Sequence, residues 1–147
     1  MMGNRTMMFL ERSLSETMTL LEESRVFLAR VEAGEEESLT EGRRMGFHAA
    51  SMRLAARLSE VMCWLLAQKA ADSGEMTPEQ ALSPAFALSN LDVCASAEGE
   101  EDESLPERFR GMMRQSRILY ERVKRLDEQM RGDPPLALRL PEDLFDA

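Results

Sequence analysis

Residues 45–74, MGFHAASMRLAARLSEVMCWLLAQKAADSG, decide how the chain must be built. Met45, Ala49, Met52, Ala56, Ser59, Cys63, Leu66 and Ala70 recur at steps of three and four, which draws one stripe along a helix. Phe47, Leu54, Leu58, Val61 and Leu65 draw a second, about 200° round the wheel at 100° per residue. A helix apolar on two broad faces is central in its fold or shared with another subunit. Gly46 and Gly42 weaken its first turns, Ser38 to Glu41 offers a cap, and Gly74 marks its end.

Two simpler helical patterns flank it. Met7, Leu10, Leu14, Thr17, Leu21, Ser24, Leu28 and Val31 form one face of a first helix, closed by Gly34. Leu105, Phe109, Met112, Ser116, Leu119, Val123, Leu126 and Met130 form one face of a third. Ser104 with Glu107 predicts a capping box at its start, and Gly132 with Asp133-Pro134-Pro135 ends it. Each pattern covers roughly 27–30 residues, about 40–45 Å of helix. Matched lengths predict an all-α fold, an up-down-up three-helix bundle. The domain spans residues 1–131, and residues 132–147 form a flexible tail. The connection over 74–104 is too long for a simple hairpin loop. Thr77-Pro78-Glu79-Gln80 and Ser83-Pro84 predict short helices inside it.

Composition narrows the function. The 147 residues suit a single core, and one Trp, one Tyr and six Phe argue against a sheet protein. The formal charge of −9 opposes general nucleic-acid binding. No run approaches the roughly 20 apolar residues that span a bilayer. Two cysteines make no disulfide framework, so a cytoplasmic setting is expected. With His48 as the one histidine, neither a closed zinc site nor a base beside Cys63 or Cys94 is evident. Phosphate-binding and metalloprotease motifs are absent, so neither catalysis nor a cofactor is expected.

Surface candidates remain. On the wheel Trp64 falls with Arg53, Arg57 and Glu60 on a polar stripe between the two apolar ones. Either the 74–103 connection folds back to cover it, or it anchors a subunit or partner contact. The third helix is rich in arginine, Arg114 and Arg117 among them, and offers a docking face for an acidic segment. The nearest acidic run is the chain's own Glu98–Glu103, EGEEDE. In the tail, Leu136, Leu138 and Leu140 alternate with other residues, and Leu144 and Phe145 sit among carboxylates. Pro134 and Pro135 favour an extended chain there, which reads as a linear recognition segment.

Two stretches, SMRLAARLSEVMCWLLAQKAADSGEM (51–76) and YERVKRLDEQM (120–130), together with LLEESRVFLARVE, resemble the RcdA family of regulators of CtrA degradation. The resemblance spans all three helices. It implies a non-enzymatic, homodimeric three-helix adaptor with a flexible tail, which helps deliver regulatory proteins to the ClpXP protease in the cell cycle. Its partners would then be the protease machinery and regulatory substrates. The alternatives are a homodimeric helical scaffold with an unrelated protein partner, or a small thiol enzyme using Cys63.

Overall fold

The computed structural model describes residues 3–132. Among these the chain is all-helical: α1 (Asn4–Glu32), α2 (Glu41–Asp72), α3 (Pro78–Ala81), a 3-10 turn (Pro84–Phe86), α4 (Leu91–Cys94) and α5 (Glu107–Gly132). The tail candidates Leu136, Leu138, Leu140, Leu144 and Phe145 lie outside the described residues.

The helix ends follow from local chemistry. Gly34 at φ +75° and Gly74 at φ +83° take the left-handed conformation that glycine adopts without a Cβ clash. Each lets the next N–H turn back into the last turn, Glu35 to the Arg30 carbonyl and Glu75 to the Ala70 carbonyl, both at 2.9 Å. Thr77 and Gln80 cap α3 reciprocally, with Pro78 at its first position. At α5 the expected Ser104–Glu107 box gives way to another turn. The Ser104 hydroxyl and N–H both donate to Asp102 Oδ1, and the helix starts at Glu107.

The three long helices meet around Phe27, Phe47 and Phe109, whose ring centroids lie 4.8–5.8 Å apart. All eight apolar-stripe positions of the third pattern are buried. On α1 the buried face takes in Phe9, Leu20 and Phe27, leaving Met7, Leu14, Leu21 and Leu28 as half-buried flanks. The face is wider than a single stripe because α1 packs on both α2 and α5.

The helix directions correct the up-down-up expectation. Along α2 and α5 the contacts rise together: Phe47 meets Phe109, Arg57 meets Met113 and Ser116, and Trp64 meets Asp127. These two helices are parallel. Against α1 the order reverses, with Phe27 on Phe109 and Glu16 on Arg122, so α1 is antiparallel to α5. The path is therefore up, down, return, down. A parallel neighbour needs a crossover as long as the helix itself, which accounts for the length of the connection.

The first apolar stripe of α2 faces away from the bundle. Met45, Met52 and Leu66 are 83, 73 and 49 % exposed, and Ala49, Ser59 and Cys63 are exposed with them. The helix is central, but only its Phe47–Leu65 face and its polar stripe point inward.

Candidate protein-interaction surface

The polar stripe of α2 holds the returning connection. Gln68 donates to the Ala81 carbonyl, and Glu60 accepts from the N–H and hydroxyl of Ser89. Arg57 donates to the carbonyls of Cys94 and Ser96, and Arg53 to that of Glu98. The sequence numbers fall on α2 as they rise on the connection, so the segment runs antiparallel to α2. Polar side chains at helical spacing thus satisfy the backbone of an irregular segment that would otherwise bury unpaired carbonyls.

Arg57 is the centre of this arrangement. It is completely buried and makes four hydrogen bonds of 2.7–2.8 Å, including those to the Met113 carbonyl and the Ser116 hydroxyl of α5. One planar guanidinium therefore joins α2, the connection and α5. Burial pulls its pKa below the ordinary range. Cys94, whose carbonyl it grips, is buried too, and burial pushes that thiol upward. Trp64 is also fully enclosed, and its indole N–H donates to Asp127 Oδ1 at 2.7 Å. Arg131 Nε donates to the same oxygen at 2.8 Å and its Nη1 to the Leu82 carbonyl.

Trp64 and Arg57, candidates for a partner-facing surface, are interior residues, which leaves for Trp64 the alternative that the chain itself covers it. The solvent-facing stripe lies elsewhere on α2, and each polar head found its partner within the chain. Arg53, with 16 % of its side chain exposed, pairs with Glu98 at 3.4 Å.

Arg114 and Arg117 meet the acidic run. Glu100 is buried, and Arg117 grips its carboxylate with two donors at 2.5 and 3.0 Å. That hydrogen bonding raises the Arg117 pKa. Arg114 stands farther off, 4.0 Å from Glu100 and 3.9 Å from Glu101, with its side chain 45 % exposed. Gly99 makes the approach possible: it sits at φ +94°, and a Cβ there would lie 3.0 Å from Met113 Cε. The basic face of α5 near Arg117 is thus occupied by the chain's own Glu100. The run and the arginines are legible in the sequence, and Ser116 falls on the apolar stripe of α5, but the roles of Ser116, Asp127 and Gln68 as hydrogen-bond partners are not, because the groups they bond lie 13 to 63 residues away.

Cys63 is exposed in a small hollow beside Ser59, Glu60, Phe86 and Ser89. The thiol therefore lies on the outward-facing stripe of α2 and is not packed in the core. His48 lies on the same helix about 22 Å away, at 1.5 Å per residue. Among the described residues no three His, Cys, Asp or Glu side chains gather as a metal site, and no helix is long and apolar enough to cross a membrane.

Over residues 5–141 the chain matches the family described as a protein of unknown function, DUF1465. Its fold matches the crystal structure of RcdA from Caulobacter crescentus CB15, at 33 % identity and a TM-score of 0.64, covering 84 % of this chain and 92 % of that one. The chain belongs to the RcdA family. No curated protein matches it significantly. Membership in the RcdA family accounts for the match running through α1, α2 and α5 alike.

Proposed function

We propose that the chain is a non-enzymatic adaptor of the cytoplasm that helps deliver regulatory proteins to the ClpXP protease in cell-cycle-linked proteolysis. The observation that carries this reading is the match to RcdA over 84 % of this chain and 92 % of that one. The bundle dimerises and docks one partner, while residues 133–147 engage another component of the proteolytic machinery. No cofactor takes part.

Degradation of a purified regulatory substrate by ClpXP tests this directly, with the full chain and with a chain ending at Gly132. The shortened chain should keep its helicity and melting temperature and deliver substrate poorly. Unchanged delivery removes the tail from the mechanism. A second reading, a homodimeric scaffold with an unrelated partner, draws on the solvent-facing Met45, Met52 and Leu66. A full chain that self-associates but never accelerates degradation would favour it.

A further inference from the structure

The outer face of α1 carries a pattern that neither the core nor the clamp uses. Met8, Glu11, Ser15, Met18 and Glu22 follow one another at steps of three and four, on the side opposite Phe9, Leu20 and Phe27. Met8 is 62 % exposed and Met18 58 %. Beside this ridge, between α1 and the C-terminal half of α2, runs an open groove lined by Glu11, Leu14, Met18, Glu22, Glu23 and Lys69. Leu14 and Met18 give it an apolar floor. Glu22 is bound to Arg25, while Glu11 and Glu23 have no ion pair among the described residues. Across the ridge a second groove continues the acidic wall with Glu16 and Glu23 and ends at Ile118, 45 % exposed.

We propose that this face of α1 docks an apolar side chain carried in a basic segment of a partner protein, with Leu14 and Met18 receiving the anchor and Glu11 and Glu23 its flanking cations. Charge complementarity selects the occupant, since the carboxylates of Glu11 and Glu23 outnumber the lining's one cation, Lys69. The chain's own tail is acidic, with Asp133, Glu142, Asp143 and Asp146 against Arg139, and would be repelled. A second copy joined through this same face would bring together two surfaces that each carry more carboxylates than cations. Methionine suits the task because its unbranched thioether repacks around different anchors. The inference rests on the adaptor reading and adds the chemistry of the delivered partner.

The test uses the full chain and a fluorescein-labelled synthetic helix with leucines on one face and lysines on the other. Glu11→Lys/Glu23→Lys should weaken binding about tenfold, and the charge-neutral Met18→Ser should weaken it several-fold. The double reversal Glu37→Lys/Glu103→Lys, at exposed sites far from the groove, changes net charge equally and should leave binding nearly intact. Circular dichroism checks that each variant keeps its helices. Equal weakening by both double reversals would reduce the effect to general attraction by an acidic chain and overturn the proposal. So would loss of self-association in Met18→Ser with no binding of the lysine helix, which would make a second copy the occupant. The degradation assay separates the two ideas: a chain that delivers substrate equally well with and without the Glu11→Lys/Glu23→Lys changes keeps the adaptor reading and loses this site.

Discussion

Tyr120 is completely buried and its hydroxyl has no hydrogen-bond partner among the described residues, whereas the nearby Trp64 N–H found Asp127. Burial pushes the phenol up to about 12, with the charges of Cys94 and Glu60 acting in the same direction and Arg57 against them. The folded chain therefore holds this proton more tightly than the unfolded chain, whose phenol titrates near its ordinary value of about 10. Its contribution to stability is full below that value and is lost as pH rises through about 12. The Cys94 thiol, also raised by burial, begins its own loss near its ordinary value of about 8.5. Tyr120→Phe removes an unpaired buried hydroxyl and should raise stability at neutral pH by about 1 kcal/mol. Urea unfolding across the alkaline range should show a flatter decline for the variant between about 10 and about 12, with the earlier thiol component retained. An equally steep decline would mean that another group governs it. The sequence showed Tyr120 only as one aromatic among the third helix's residues. The Arg57 and Cys94 charges that act on it lie far away along the chain.

At the scale of elements, α2 works as a rail for the segment between it and α5. Its polar stripe was visible at the correct spacing, as Arg53, Arg57, Glu60 and Trp64, but a helical wheel cannot say whether a polar stripe meets water or carbonyl groups. The answer lay in long-range partners: Arg57 bonds residues 37 to 59 positions away. Periodicity read the apolar stripe of α5 correctly because that stripe meets a single continuous core. It left open whether Met45, Met52 and Leu66 pack in the chain's own core or face another subunit, since small and flexible apolar residues fit an exposed face as well as a packed one. Arg57→Ala tests the rail. It leaves the carbonyls of Cys94 and Ser96 without a donor, while that of Met113 keeps the Ser116 hydroxyl, and the cost should reach about 3 kcal/mol or more. Hydrogen exchange should show protection lost first in residues 91–98, with the α1–α2 hairpin least affected. Arg57→Lys, which offers one nitrogen in place of a planar fork, should recover only part of the stability. A loss below about 1 kcal/mol would mean that water replaces the guanidinium readily.

For the whole molecule, the direction of α5 is the property that sequence length alone misassigned. Matched helices and a bundle-sized chain fit an antiparallel third helix as well as a parallel one, and only the pairs Phe47–Phe109, Arg57–Ser116 and Trp64–Asp127 distinguish them. Those pairs require α5 to begin beside the N-terminal half of α2, so the chain leaving Asp72 must travel back by about 40 Å. A five-residue linker reaches at most about 18 Å. Replacing residues 74–104 with five Gly and Ser residues should therefore abolish the native arrangement rather than shorten it. An antiparallel α5 would bring its C-terminal end, not Phe109, to Phe27 and Phe47. It would also remove Asp127 and Ser116 from Trp64 and Arg57, leaving a tryptophan and an arginine to be buried without partners. The variant should keep much of its far-ultraviolet helical signal, because each helix retains its own pattern. It should lose the fixed near-ultraviolet signal of the single Trp64, and urea should unfold it over a broad range. A linker of equal length to the natural connection, also made of Gly and Ser, should restore the direction of α5 while losing the clamp's hydrogen bonds. Cooperative unfolding of the short-linker chain with a blue-shifted tryptophan would show that α5 can run either way, and that the connection carries no topological demand.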